Sequence, residues 1–240
     1  MDRLIYLAMS GAKASMQRQD VLANNLANAS TTGFRAEMQA FRAVPVRGDG
    51  ASTRVYALES TVGYDSQPGV VQATGRSLDV AMKGNGWLAV QALDGTEAYT
   101  RAGVLEINPE GQLVTPGGLP VLGDGGPITL PANATVEIAA DGTISTSVGN
   151  AKPQQAGRLK LVTPETPMNR GADGLFRGAE GDLGADPAAR LQSGALEGSN
   201  VSAVETMVAM ISAARQFEQQ MKMLQSAEQK EQAATKLLAS

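Results

Sequence analysis

The chain has 240 residues, a net charge of −4, 42% hydrophobic residues and only 4% aromatic residues. This length suffices for one or two domains with a sizeable core, and the slight negative charge provides no broad positive field to attract nucleic acid or anionic lipid. The sequence has no cysteine and no histidine, which excludes a disulfide framework, a cysteine nucleophile and a histidine-based triad, and removes the commonest zinc ligand. We expect no catalytic residues, no metal site, no cofactor and no small-molecule substrate.

Hydropathy argues against a membrane segment. The sequence has no run of about twenty apolar residues, so we expect no transmembrane helix. The N-terminus also lacks the basic region, apolar block and small-residue cleavage site of a secretory signal peptide. If the protein is exported, another route must carry it.

Residues 2–28 predict the first helix, because they contain no proline and a single glycine. Asp2 can serve as the N-cap, and the turn-forming residues 28–33 end the helix. The apolar face is built mainly from small side chains, which allow another helix to approach closely. Its candidate interface residues are Leu4, Leu7, Gly11, Ala14, Val21 and Leu26.

Between residues 34 and 196 the helical periodicity disappears. Residues 34–79 are interpreted as an extended linker region. In residues 80–195, short β-favouring runs alternate with turn dipeptides such as Asp94-Gly95 and Asp141-Gly142, which predicts a central antiparallel β domain built from hairpins. Residues 169–184 are rich in Gly and Asp and are expected to form a long exposed loop.

Residues 200–240 predict one uninterrupted helix, since they contain neither Gly nor Pro. Ser202 followed by Glu205 forms a capping-box pattern at its start. Apolar residues at steps of three and four place one seam along the helix. The candidate interface residues on or beside that seam are Val204, Met207, Ile211, Ala214, Arg215, Phe217, Met221 and Leu224.

These elements define an α+β fold class with four parts: an N-terminal helix in residues 1–33, the linker in 34–79, the β domain in 80–195 and a C-terminal helix in 196–240. The first helix by itself could be an ordinary amphipathic core helix, whereas the C-terminal helix is too long and too narrowly apolar for an average domain core. The sequence predicts one helix with an apolar seam at each end and no helix between them, which favours pairing of the two helices with each other. We therefore expect the terminal helices to form a coiled coil.

Three stretches resemble the bacterial flagellar rod and hook family. Residues 23–35 read ANNLANASTTGFR, which is similar to the N-terminal motif of these axial proteins. Residues 197–202, EGSNVS, together with MVAMI at 207–211 and RQFE at 215–218, resemble the C-terminal motif. GNGWLAV at 84–90 and YTRAG at 99–103 resemble the β domain shared by the hook and the longer rod proteins. Within the family, residues 1–9 and 61–65 look most like the proximal rod member, with the distal rod subunit as the alternative.

The resemblance implies a structural subunit of the flagellar basal-body rod, which transmits torque from the motor to the hook. It implies partners that are other copies of this chain, neighbouring rod proteins and the flagellar type III export apparatus, with no cleaved signal and assembly in the periplasm. It also implies that the terminal helices pack in the inner layer of a tube, with the β domain outside.

Two sets of polar residues leave alternatives open. Asn24, Asn25 and Asn28 lie where asparagine has low helix propensity. They either form the turn that ends the helix or satisfy groups on neighbouring subunits and fix the register, as a buried Asn does in coiled coils. Arg215 is either an ordinary exposed helix arginine or one half of an ion pair between subunits.

The alternative outside this family is a secreted carbohydrate-active β protein. Asp79, Asp94, Asp124 and Asp141 could supply a pair of carboxylates for glycan hydrolysis. Three of the four are followed directly by glycine, however, and turns use Asp-Gly for their geometry. We therefore expect that the chain is not an enzyme.

Overall fold

The computed structural model describes residues 2–45, 55–132, 134–149 and 151–238, with side chains for residues 8–40, 63–132, 134–149 and 151–230. Within these residues the chain forms two helices, one near each end, and eighteen strands between them. The fold class is α+β, as predicted. Across the described residues, neither helix has a stretch apolar enough to cross a bilayer.

The chain divides into two compact units. The helical unit consists of Met1–Asn28, Glu37–Val62 and Val201–Ser240. The β unit consists of Ala29–Ala36 and Gly63–Asn200. The β unit is therefore inserted into the helical unit along the sequence.

The helical unit contains both long helices. Helix α1 spans Asp2–Ala27 and α2 spans Ala203–Leu238, close to the ranges expected from the sequence. The backbone N–H of Glu205 donates to the Ser202 hydroxyl oxygen at 3.4 Å, so Ser202 caps α2 as predicted. The two helices pack against each other.

The helical unit also contains β1, Glu37–Pro45, and most of β2, Val55–Tyr64, which pair as a two-stranded sheet. Both strands lie inside the stretch interpreted as an extended linker. The second strand is rich in Val, Tyr and Thr, residues that favour strands. Residues 37–45 and 55–64 of this stretch thus form two paired β-strands.

A five-stranded sheet is the centre of the β unit, with strand order β14-β5-β6-β16-β15 and antiparallel pairing throughout. The side chains of β5 alternate between two cores. Leu88 and Val90 join the larger aliphatic core, whereas Trp87 and Ala89 join an aromatic cluster with Tyr99. Both faces of this sheet are therefore buried, and Trp87 anchors one of them. The strands are β5 (Trp87–Gln91), β6 (Glu97–Thr100), β14 (Leu161–Val162), β15 (Asn169–Arg170) and β16 (Phe176–Arg177).

The remaining strands form small antiparallel sheets around this centre. One is three-stranded, with order β11-β12-β13, and four are pairs: β17-β4, β18-β3, β7-β8 and β10-β9. Their bounds are β3 (Val71–Ala73), β4 (Val80–Met82), β7 (Glu106–Ile107), β8 (Leu113–Val114), β9 (Leu122–Gly123), β10 (Gly126–Pro127), β11 (Thr135–Ile138), β12 (Thr143–Ser147), β13 (Gln154–Arg158), β17 (Leu191–Ser193) and β18 (Ala195–Glu197).

The long exposed loop expected at residues 169–184 is wrong in its first half. There β15 and β16 form the hairpin that completes the five-stranded sheet, and Phe176 is buried against the rings of Trp87 and Tyr64. Strands of two residues are too short to show an alternating pattern, and the Gly and Asp residues of the turn between them are typical of a loop.

Candidate assembly interface

Small side chains form the face of α1 that is buried in the helical unit. Ala8, Ala12, Ala14 and Ser15 are all buried there. Gly11 lies directly beside α2: a Cβ atom added to it would be 2.9 Å from the side-chain carbon Cδ of Gln220. The small residues of α1 therefore leave room for a long polar side chain of α2.

A groove of about 410 Å³ lies between the two helices at this point. It is lined by Gly11, Ala14, Ser15, Arg18, Gln216, Gln219 and Gln220. Five of these seven residues have polar side chains, so the helices do not meet through apolar residues alone.

The Asn25 side chain connects α1 to β1. Its Oδ1 accepts the backbone N–H of Glu37 at 2.8 Å, and its Nδ2 donates to the Glu37 carbonyl at 3.0 Å. Asn25 is only 7% exposed. Its amide thus satisfies backbone groups of its own chain, and a role toward neighbouring subunits stays a prediction.

Asn24 and Asn28 contact each other where α1 ends. The Asn28 side-chain Nδ2 donates to the Asn24 carbonyl at 2.9 Å and to the Asn24 Oδ1 at 3.1 Å. The Asn28 backbone N–H also donates to the Asn24 carbonyl. These contacts are those of a helix end, the simpler of the two interpretations of these residues.

The other predicted interface residues of α1 occupy several environments. Ala14 is buried, whereas Gly11, Val21 and Leu26 are half-buried. Leu4 and Leu7 belong to α1, but their side chains lie outside the described residues. Their contribution to an interface stays a prediction.

The predicted interface residues of α2 divide into two groups. Ala214, Phe217 and Leu224 are half-buried. The other members are exposed in the single chain, with Val204 at 72%. This exposed group is Val204, Met207, Ile211, Arg215 and Met221.

Sequence reasoning missed two of the buried residues of α2, Thr206 and Ala213. Thr and Ala carry little hydrophobic signal, and the larger apolar side chains nearby indicated a different face. Arg35, Arg101 and Glu197 lie inside the family motifs, yet sequence reasoning assigned them no role. The structure buries these three charged residues in one cluster of ion pairs.

Three of the four carboxylates considered for glycan hydrolysis, those of Asp79, Asp94 and Asp141, are held in turns or in an ion pair. Hydrogen bonds from the Thr96 hydroxyl and backbone lower the pKa of Asp94, and those from the Thr143 backbone and hydroxyl lower the pKa of Asp141. A general acid needs the opposite shift, because it must hold its proton near neutral pH. Asp79 instead forms an ion pair with Arg76 at 2.9 Å.

Three family models match the chain. The model described as flagella basal body rod protein matches residues 5–35, that of the flagellar hook protein FlgE/F/G D1 domain matches residues 81–146, and that of the flagellar basal body rod FlgEFG protein C-terminal matches residues 192–237. The matches thus cover α1, much of the β unit and α2.

The chain is similar over its whole length to curated rod proteins. It is 50% identical to the flagellar basal-body rod protein FlgF of Salmonella typhimurium and 49% identical to FlgF of Escherichia coli, over 100% of this chain and 99% of each relative. It is 31% identical to the flagellar basal-body rod protein FlgG of Bacillus subtilis, over 95% of this chain and 96% of the relative. These likenesses rule out the carbohydrate-active alternative. The chain belongs to the family of flagellar basal-body rod proteins, and it is a structural subunit of the rod and not an enzyme.

Proposed function

We propose that this rod subunit builds the shaft through its two terminal helices, which pair as a coiled coil within the chain and pack against the helices of neighbouring subunits. The observation that carries the proposal is the spacing of the covered positions on α2. Positions 206, 210, 213, 217, 220, 224 and 227 are separated alternately by four and three residues, and all are buried or half-buried. This is the heptad spacing of a coiled-coil seam.

Helix α1 has a matching series. Positions 8, 12, 15, 19, 22 and 26 follow the same alternation and are buried or half-buried. Much of this seam is small or polar, as at Ser15 and Gln19, so it offers modest apolar burial. A pair of helices with such a seam gains stability from further helices in an assembly.

The outer faces of both helices supply surface for those further helices. Val204, Met207, Val208 and Ile211 are exposed and lie three, four and seven positions apart from the first, which places them on one side of α2. Met9 and Met16 are exposed on α1 and lie seven positions apart. A contiguous apolar face on a monomer marks a surface that a partner covers.

The partners of these faces are other copies of the chain and the adjacent rod proteins, and the flagellar type III export apparatus is the route that delivers the subunit without a cleaved signal. We place the subunit in the proximal rod, because the FlgF proteins of Salmonella typhimurium and Escherichia coli, at 50% and 49% identity, are more similar to this chain than FlgG of Bacillus subtilis is, at 31%. Labelling the subunit in isolated basal bodies tests this placement, and a distal label would contradict it.

The four parts predicted from the sequence retain their roles in this proposal. Residues 1–33 and 196–240 supply the helices of the shaft, and residues 80–195 supply the β domain that makes lateral contacts. Residues 34–79 connect them and contribute the pair of strands β1 and β2.

A single charge on the outer face tests the proposal. Ile211→Asp is expected to leave the thermal unfolding of the purified protein unchanged, because the side chain is 55% exposed in the single chain. In cells that lack the native protein, the variant should be exported but should not support rod completion, hooks or swimming. Hooks counted by electron microscopy give the readout.

Gln229→Asp is the matched control, since it adds the same charge at another exposed position of α2. This variant should assemble normally. Normal hooks with Ile211→Asp would contradict the proposed contact surface. Hooks in cells that lack the protein altogether would contradict the rod function itself.

A further inference from the structure

Three segments of the β unit meet where the chain enters and leaves it. They are residues 33–36, 63–69 and 195–200. The Gly33 N–H donates to the Glu197 carbonyl at 2.8 Å, and the Asp65 N–H donates to the Ala36 carbonyl at 2.8 Å. The first segment therefore lies between the other two.

One side-chain amide binds the same segments together. The Asn200 Oδ1 accepts the backbone N–H of Ala36 at 2.7 Å. Its Nδ2 donates to the carbonyl of Asp65 at 3.1 Å and to that of Gln67 at 3.0 Å. The Asn200 backbone N–H donates to the Phe34 carbonyl at 3.3 Å. Asn200 is therefore a hydrogen-bonded node for all three segments.

The Glu197 carboxylate, with a side chain that is 1% exposed, forms a second node. Its Oε1 lies 2.7 Å from Nη2 of Arg35 and accepts the backbone N–H of Gly69 at 2.9 Å. Its Oε2 lies 2.8 Å from Nη2 of Arg101. Arg35 in turn donates from Nη1 to the Gln67 carbonyl at 2.8 Å.

Arg101 extends this node into the core of the β unit. It donates to the carbonyls of Gly84 and Gly86, just before strand β5. Its guanidinium lies 5.7 Å from the ring centroid of Trp87, a cation–π distance. The triad of charged residues Arg35, Glu197 and Arg101 thus connects the entry and exit segments to the buried sheet.

The backbones at these nodes are in direct contact. A Cβ atom added to Gly33 would be 2.2 Å from the carbonyl carbon of Arg101, and one added to Gly69 would be 2.0 Å from the carbonyl oxygen of Gly198. Neither segment has space to shift toward its neighbour without displacing main chain.

Stability alone does not explain three buried charges. Transferring them from water is costly, and a set of apolar side chains of similar volume is often as stable or more stable. Charged hydrogen bonds differ from apolar contacts because they fix direction and register. Each guanidinium–carboxylate contact of the triad therefore fixes the relative position of the two segments that it joins.

We propose that the triad Arg35–Glu197–Arg101 and the amide of Asn200 form a rigid coupling, which holds the entry and exit segments of the β unit in fixed register with its buried sheet, so that the β unit keeps its shape when the rod is under torque. This inference rests on the proposed function in the rod. These four are positioning residues, since they act through the segments they hold.

Two variants test the coupling. The triple variant Arg35→Met, Arg101→Met, Glu197→Leu removes the charges and keeps the volume apolar. Asn200→Ala removes the amide node at a half-buried position and leaves the triad in place. Asn85→Ala is the matched control, because Asn85 makes a single long hydrogen bond, 3.4 Å, to the Pro164 carbonyl of the same unit.

The first readout is hydrogen exchange on the purified full chain. Both test variants should lose protection in residues 33–36 and 195–200, while the strands of the five-stranded sheet keep theirs. Uniform loss of protection through the β unit with Asn200→Ala would overturn the proposal, because it would assign these residues to stability only.

The second readout is rotation of tethered cells at several loads. Cells with Asn200→Ala should build flagella in normal number, rotate normally at low load and lose rotation at high load, whereas Asn85→Ala cells should match the native protein throughout. Normal rotation at every load would overturn the coupling and leave the rod function intact. Normal flagella in cells that lack the protein would refute the rod function instead.

Discussion

The amide of Asn25 forms two hydrogen bonds with the backbone of a single residue, Glu37, accepting from its N–H at 2.8 Å and donating to its carbonyl at 3.0 Å. This is the pattern by which one strand residue pairs with its neighbour in an antiparallel ladder. A side chain of α1 thus takes the place of a backbone partner for β1. The strand begins at a position fixed by the helix.

Asn25→Ala should lower the free energy of unfolding of the helical unit by about 1–3 kcal/mol, because the N–H and the carbonyl of half-buried Glu37 both lose their hydrogen bonds to the Asn25 side chain. Chemical denaturation of the purified protein measures the loss, and hydrogen exchange at Glu37 localises it. Asn24→Ala should change stability by less than about 0.5 kcal/mol, since Asn24 is exposed. Equal effects of the two substitutions would contradict this account.

Gly33→Ala should destabilise the β unit more than Gly75→Ala does. Both glycines have positive φ, at 70° and 76°, so both substitutions incur the left-handed cost of about 1–2 kcal/mol. Only at Gly33 would the new Cβ meet main chain, 2.2 Å from the carbonyl carbon of Arg101, whereas nothing lies within 4 Å at Gly75. Paired thermal unfolding experiments measure the difference, and equal losses would show that the close approach is not maintained in solution.

The absence of native cysteine makes a disulfide test of helix pairing unambiguous. Cysteines at Gly11 and Gln220 should cross-link within one chain on mild oxidation, because a Cβ at residue 11 lies against the Gln220 side chain. The product is a monomer of altered mobility on a nonreducing gel of isolated basal bodies. Each single variant is its own control, and a ladder of dimers would indicate pairing between chains at this position.

The β unit should lose stability in acid through its turn carboxylates. Hydrogen bonds from Thr143 hold the pKa of Asp141 below its ordinary value of 3.8 in the folded chain. The contribution is therefore complete above that ordinary value and is lost as pH falls through the lower, folded value. Asp173, whose pKa is lowered by hydrogen bonds from Arg177, adds to the same dependence.

Thr143→Val removes the hydroxyl donor, which lies 2.8 Å from the Asp141 carboxylate. This variant should show a shallower fall of melting temperature below the ordinary pKa than the native chain. Thr100→Val is the control, since the Thr100 hydroxyl oxygen accepts the Ala102 N–H and contacts no carboxylate. Unchanged acid dependence in Thr143→Val would show that this turn does not contribute.

The two helices could be predicted from the sequence because their signals are local. Their lengths follow from the absence of proline and the rarity of glycine, and the start of α2 follows from Ser202 and Glu205. The face of each helix that is buried was harder to predict from the sequence. On α2 the large residues Val204 and Ile211 are exposed while Ala213 is 1% exposed, because a helix partner built from small side chains favours a small residue at the closest approach.

The ion-pair triad could not be predicted because its members are far apart in sequence. Arg101 and Glu197 are 96 positions apart, and only the fold places them together. The hairpin of β15 and β16 is local, but its strands have two residues each, which is too few for an alternating pattern. Sequence periodicity therefore predicts the long helices, whereas it detects neither very short strands nor ion pairs between distant residues.

The contact between Phe34 and Asn200 means that the β unit could be lengthened within its sequence without moving its two ends apart. Its entry and exit are joined by a hydrogen bond of 3.3 Å, so the unit begins and ends at one place. Residues added at an exposed turn such as Leu93–Asp94, where Leu93 is 94% exposed, need not change the position at which the chain enters and leaves the unit. The β unit of this chain could thus be enlarged at such a turn while residues 33–36 and 195–200 keep the hydrogen bonds that join them.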